Sequence, residues 1–311
     1  VKTIAISIFL CCLAALQISA QDSMVIINQK VITLKEVVVR SNMDVPSFIR
    51  RIQLDTSFYR AFKNLHEISY TALNDVRMLD KKGELKASLQ SKTQQDFSNG
   101  CRRMAVLEEQ SSGDIKTPGG DWNYYTAEMY AALFFTQGEV CGENTSVKAS
   151  ELSLHDKHGL EKHKEQLKMM FFNPGRRIPG IPFIGDKINI YEEPNSSYYD
   201  FELDIQPYHG QNCYVFTISA KKDLSGFEKD KVVFNSITTW FDQQKMSIVA
   251  RRYDLSYDAA VYDFDVQMEV EISPLEDIWL PSLIRYTGNW KLAFKKRERG
   301  VFTATIFNAK K

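Results

Sequence analysis

The residues whose types and spacing come nearest to a reactive constellation are His155, His158 and His163, with Asp156 and Glu161 beside them. Imidazoles and carboxylates are zinc ligands, and a loop or helix at this spacing brings two imidazoles to one ion. A working site also needs further ligands and hydrogen-bonded partners behind them. The segment is dense in charge, so a solvated stretch is the expected state and no metal is expected. His66-Glu67 begins a zinc-helix pattern, but Tyr70 stands where the second His belongs.

Asp263 and Asp265 share a face if their segment is a strand, as an acid/base pair would. Glu269 and Glu271 continue the row, which makes it the wet face of an amphipathic strand. Trp122, Tyr124, Tyr125 and Tyr130 could stack a sugar ring. The apolar run Ala131-Ala132-Leu133-Phe134-Phe135 that follows points to core packing instead. There is no Gly-x-Ser-x-Gly elbow, phosphate-cradling Gly-rich loop or His-Glu-x-x-His, and no Cys-x-x-Cys after residue 20. No catalytic residue and no cofactor are assigned, and the expectation is a protein that is not an enzyme.

The elements that would position any site are clearest in the C-terminal half. Tyr262, Phe264, Val266, Met268, Val270 and Ile272 alternate with Asp263, Asp265, Gln267, Glu269 and Glu271. A helix would scatter these apolar residues; a strand puts all six on one side. Tyr199–Gln206 alternates likewise, and Cys213–Ala220 places Tyr214, Phe216 and Ile218 on one face. Val232–Phe241 and Ser247–Tyr257 flank the polar turn Asp242-Gln243-Gln244-Lys245. Ile284–Lys295 and Val301–Phe307 flank the charged run Lys296–Gly300, which reads as a turn. Short strands joined by polar turns, each with one wet face, predict antiparallel pairing.

The N-terminal half is mixed. Val25–Asn28 and Val31–Arg40 read as strands. Pro46 opens a helical segment to Leu65 carrying Phe48, Ile49, Ile52, Tyr59 and Phe62, with Thr56 or Ser57 able to start a second helix. Ile68–Leu79 and Leu85–Thr93 form a hairpin across Asp80-Lys81-Lys82-Gly83. Ser111–Gly120 reads as a loop and Glu161–Phe172 as a helix. The predicted fold class is mainly β (α+β): an antiparallel meander or half-barrel with a few helices packed on its concave face.

Lys2 and the apolar run Ile4–Leu16, followed by Ala20 before Gln21-Asp22, have the form of a signal peptide cleaved after Ala20. The run is shorter than the roughly 20 residues a spanning helix needs. The predicted organisation is a signal peptide over 1–20, an N-terminal strand segment over 21–44, and one antiparallel-sheet domain with helices over 45–311. Export to the periplasm, or to the periplasmic face of the outer membrane, follows. There Cys101, Cys141 and Cys213 could form one disulfide, Cys101–Cys141 being conceivable, or serve as small buried apolar residues. Lys and Arg number 39 against 39 Asp and Glu, so no net field favours nucleic acid.

One segment combines turn chemistry with an apolar character. Met169, Met170, Phe171 and Phe172 lead through Asn173-Pro174-Gly175 to Ile178, Ile181, Phe183 and Ile184. Its prolines and glycines argue against regular structure, and loops are usually polar because they meet water. Such a loop plugs the end of a sheet, rims an apolar cavity, or touches a membrane surface. As a rim, those eight residues are the candidate ligand-binding set.

Two resemblances accompany these readings. Leu34-Lys35-Glu36-Val37-Val38-Val39 resembles a short segment of TonB-dependent outer-membrane receptors and related exported proteins, which implies an envelope location and nothing about transport. The order of signal peptide, helix, hairpin and long meander is similar to the Lol-type lipoprotein carriers, half-barrels wrapped around helices with a cavity for acyl chains. The whole resembles exported envelope proteins of gram-negative bacteria. A periplasmic or outer-membrane-associated binding protein for a lipid, lipoprotein or other apolar ligand is the expectation. The alternatives are an envelope scaffold with a filled core that binds another protein, and a hydrolase whose site carries no familiar motif. The partner is accordingly an apolar ligand or an envelope protein, with peripheral membrane contact as a further reading.

Overall fold

The computed structural model describes residues 23–27, 30–34, 45–143, 175, 184–258, 262–292 and 296–311. In chain order its elements are β1 (Ser23–Ile27), β2 (Lys30–Leu34), α1 (Val45–Leu54), α2 (Ser57–Asn64), β3 (Ser69–Leu79), β4 (Leu85–Ser98) and β5 (Cys101–Ser112). Then come α3 (Tyr125–Phe134), β6 (Glu139–Cys141), β7 (Tyr199–Tyr208), β8 (Gln211–Ala220) and α4 (Gly226–Lys229). The chain closes with β9 (Phe234–Asp242), β10 (Ile248–Asp258), β11 (Tyr262–Leu275), β12 (Ile278–Leu292) and β13 (Glu298–Lys310).

The strands form one open sheet in the order β1-β2-β7-β8-β9-β10-β11-β12-β13-β3-β4-β5-β6. The run from β7 to β6 is antiparallel throughout, and the β1–β2 hairpin joins it by a parallel pairing of Leu34 with Phe201. The fold is mainly β, as the period-two patterns predict, and the sheet is not closed into a barrel.

Register explains why one face is a core. Reading across the sheet, Tyr253, Met268, Tyr286, Phe302, Val76 and Leu89 are successive partners. All six are buried. One level along, the row is Leu255, Val266, Gly288, Gly300, Met78 and Ala87. The two adjacent glycines leave a shallow place in an otherwise filled face. Tyr286 leans over Gly288, where a Cβ would clash with its hydroxyl. The N-terminus of α3 sits on Gly300, where a Cβ would lie 2.7 Å from Thr126 Cγ2.

The helices lie on this inner face. Pro46 stands in the first turn of α1, where the missing N–H costs nothing. Phe48 from α1 meets Phe241, Phe216 and Tyr214 edge-on at 5.4, 5.9 and 6.1 Å. The break between α1 and α2 falls at Asp55-Thr56, where the Asp55 carboxylate accepts from Ser57 N–H at 2.6 Å. Phe58, Ala61 and Phe62 then recur at helical spacing and are buried.

The outer face carries the predicted charges. Glu269 in β11 lies between Arg252 of β10 and Arg285 of β12, at 3.0 and 3.2 Å. Asp263 pairs with Arg297, and Asp265 is exposed, so these aspartates belong to the wet face. Such exposed pairs stabilise by less than about 1 kcal/mol each.

Two expectations need correction. The Lys296–Gly300 run is not wholly a turn: Glu298, Arg299 and Gly300 belong to β13 and pair with Trp290, Asn289 and Gly288. The reason is Glu298, whose side chain caps α3. The Ser111–Gly120 loop begins two residues late, because β5 continues through Ser112. Cys101 and Cys141, directly opposite each other in β5 and β6, are disulfide-bonded, and Cys213 is a buried free thiol.

Candidate functional site

Two of the spaces among the described residues lie between the helices and the sheet. The first is under α3. Met129, Tyr130, Leu133 and Phe134 face Met268, Tyr286, Trp290 and Phe302 across an almost wholly apolar crevice of about 30 Å³. That is room for about one water, so the crevice is a packing gap in a filled core.

Alpha3 is fixed at both ends and the middle. Glu298 accepts from the backbone N–H of Tyr125 and Thr126 and from the Thr126 hydroxyl, each at 2.9 Å. Tyr130 donates its hydroxyl to Asn74 Oδ1 at 2.7 Å. Asn74 in turn donates to Ser91 and Thr93, both at 3.2 Å. Beyond the C-terminus, Thr136 donates to Gln95 at 3.0 Å, and Gln95 donates to the carbonyls of Leu65 and Ile68. Burial drives the Tyr130 phenol well above its ordinary value, so it is a neutral donor.

The second space is a cleft of about 700 Å³ where α1 and α2 pass the end of the sheet. Its walls are the α1–α2 junction, the β9–β10 turn and the β11–β12 turn. Phe58, Ile248, Ile272, Ile278 and Trp279 supply an apolar floor, and Leu54, 66% exposed, stands at the rim. Asn64 ties the cleft's end together by donating to the Trp279 carbonyl at 2.7 Å. Arg51, Arg60 and Lys245 add three cations. None of the three has an ion-pair partner among the described residues. Two carboxylates share the lining: Asp55 caps Ser57, and Asp277 pairs with Lys311, whose ammonium holds the Asp277 carboxyl below its usual range. The Ser247 hydroxyl is also buried in this wall and has no hydrogen-bond partner. A volume of this order is typical of small-molecule sites.

Of the residues singled out from sequence, Met169, Met170, Phe171, Phe172, Ile178, Ile181 and Phe183 lie outside the described residues. So do the Glu161–Phe172 helix, His155, His158 and His163, the segment over 1–20, and most of the Leu34–Val39 motif. Ile184 is described and is 2% exposed, packed in the main core. Tyr124 and Tyr130 are buried. Tyr124 donates to Asp114, and Lys116 rests over the Trp122 ring at 4.9 Å. His66 stands 3.1 Å from Glu143. His209 sits in the β7–β8 turn with φ of 47°.

The cleft was not visible in the sequence. Its walls come from residues near 55, 246 and 278, and no local pattern links them.

No family model matches this chain, and no curated protein matches it. Among solved structures it is similar to a DUF1329 family protein from Desulfovibrio piger ATCC 29098, at 10% identity and a TM-score of 0.28, over 84% of this chain and 92% of that one. It is also similar to a putative outer membrane lipoprotein-sorting protein domain from Vibrio parahaemolyticus, at 8% identity and a TM-score of 0.26, over 80% and 88%. Likeness at these scores carries no argument about function. Among the described residues no helix is long and apolar enough to cross a membrane.

Proposed function

We propose that this is an exported binding protein of the cell envelope that takes a lipid or other apolar ligand and catalyses no reaction. The observation that carries the reading is the 700 Å³ cleft, which is floored by apolar side chains continuous with the inner face of the sheet. An open sheet with helices on one face leaves such a space at its end, where the helices stop short of the strand turns. The Lys2 and Ile4–Leu16 pattern supports export, and the Cys101–Cys141 disulfide fits an oxidising compartment. Lys311 holds the Asp277 carboxyl in the cleft below its usual range, which suits binding better than proton transfer.

A second reading, an envelope scaffold, rests on the sheet edge. Among the described residues β6 covers Cys101–Arg103 of β5, and Val106 and Leu107 beyond it are 56% and 53% exposed. An edge of this kind can accept a partner's strand.

The two readings separate on thermal unfolding before and after organic extraction. A ligand-binding protein loses stability when stripped and regains it with added lipid, because a ligand bound to the native state stabilises by mass action. A scaffold with a filled core melts at the same temperature in both states.

A further inference from the structure

We infer that the cleft takes a single-chain anionic amphiphile, such as a long-chain carboxylate, with its head at Arg51, Arg60 and Lys245 and its chain over Phe58, Ile272 and Trp279. The inference rests on the proposed binding function and specifies its ligand.

Charge is the first argument. Three cations line the cleft without an ion-pair partner among the described residues, while both carboxylates there are engaged, one by a backbone N–H and one by Lys311. All three are exposed to water, so a purely apolar ligand would leave them solvated and gain nothing from them. A neutral lipid head would do the same. An acyl chain ending in an anion matches both halves of the wall, since a charge-assisted hydrogen bond is about twice as strong as a neutral one. Arginine and lysine also suit this place because their alkyl stems extend the apolar floor while the charged ends stay at the water.

The second argument is size. The cleft is of the order that encloses one small molecule, and its open side faces solvent at Leu54.

The test uses 9,10-dibromostearate and its methyl ester, whose bromines quench tryptophan on contact. The chain holds Trp122, Trp240, Trp279 and Trp290, and only Trp279 lines the cleft. Dibromostearate should quench saturably. The quench should disappear in W279F, and the affinity should fall at least tenfold in a folded R60E/K245E protein. The ester should bind at least tenfold more weakly than the acid, with an affinity unmoved by R60E/K245E. Equal binding of acid and ester would overturn the anionic head and leave the apolar-ligand reading standing. Quenching retained in W279F would overturn the cleft as the site. No quenching by either probe would overturn this inference, and thermal unfolding that is indifferent to organic extraction would remove the underlying function as well.

Discussion

Glu298 of β13 accepts hydrogen bonds from the Thr126 backbone N–H and from the Thr126 hydroxyl, both at 2.9 Å, and so caps α3 from across the sheet. A carboxylate at a helix N-terminus satisfies orphan N–H groups and meets the positive end of the helix dipole. Only a strand residue facing inward can do this, which is why a charged residue stands at the inner start of β13. E298Q should destabilise the protein by about 1–2 kcal/mol, from the loss of charge-assisted bonds. G300A should cost a further 1–3 kcal/mol, roughly, because its Cβ would meet Thr126 Cγ2 at 2.7 Å. Urea unfolding of each variant measures both, and an unchanged midpoint in E298Q would refute the capping role.

Tyr130 and Asn74 test the polar stripe beneath α3. Y130F removes the 2.7 Å bond and leaves Asn74 Oδ1 with one donor fewer in a buried place. The expected loss is about 1–3 kcal/mol, the cost of a buried polar atom left unmet. N74L should cost more than Y130F, since it also takes the donor away from the buried Ser91 and Thr93 hydroxyls. A double-mutant cycle reads the coupling.

The disulfide closes a 40-residue separation that contains α3. By loop entropy its removal in C101S/C141S should cost about 3–4 kcal/mol. Unfolding of the native protein with and without reductant gives the same comparison without mutation.

Acid should loosen the same edge. Burial pushes the Glu143 carboxyl up, but the Arg102 guanidinium, paired with it through two nitrogens, and the nearby His66 outweigh that and hold it below its usual value of 4.5. A carboxyl lowered on folding contributes stability that is complete above pH 4.5 and is lost as pH falls through the folded value. The contribution is about 1 kcal/mol or less, since the pair is partly exposed. E143Q should therefore narrow the stability difference between pH 6 and pH 3, read by urea midpoints at each.

The parts of this molecule that were legible in sequence are those whose two faces meet different solvents. Beta11 is the clearest case: Phe264, Val266, Met268, Val270 and Ile272 are buried, and the Asp and Glu residues between them face out. The helix break before Ser57 was legible because Thr56 and Ser57 are residue types that begin helices, whereas the Asp55 carboxylate that binds the Ser57 N–H was not singled out. Beta5 was not, because Val106 to Ser112 are exposed on both faces and so carry no alternation. Glu298 hid inside a charged run because its partner is 172 positions away. The cleft hid for the same reason: Arg51, Lys245 and Trp279 meet only through the sheet.

The measurement closest to the central claim is native mass spectrometry of the protein taken from a periplasmic extract without detergent, with lipids extracted from the same sample. The expected result is a species heavier than the chain by the mass of one lipid, which the extract identifies and which Arg51, Arg60 and Lys245 variants lose. A clean mass of the bare chain from every preparation, with no lipid enriched in the extract, would contradict it and return the cleft to a structural gap.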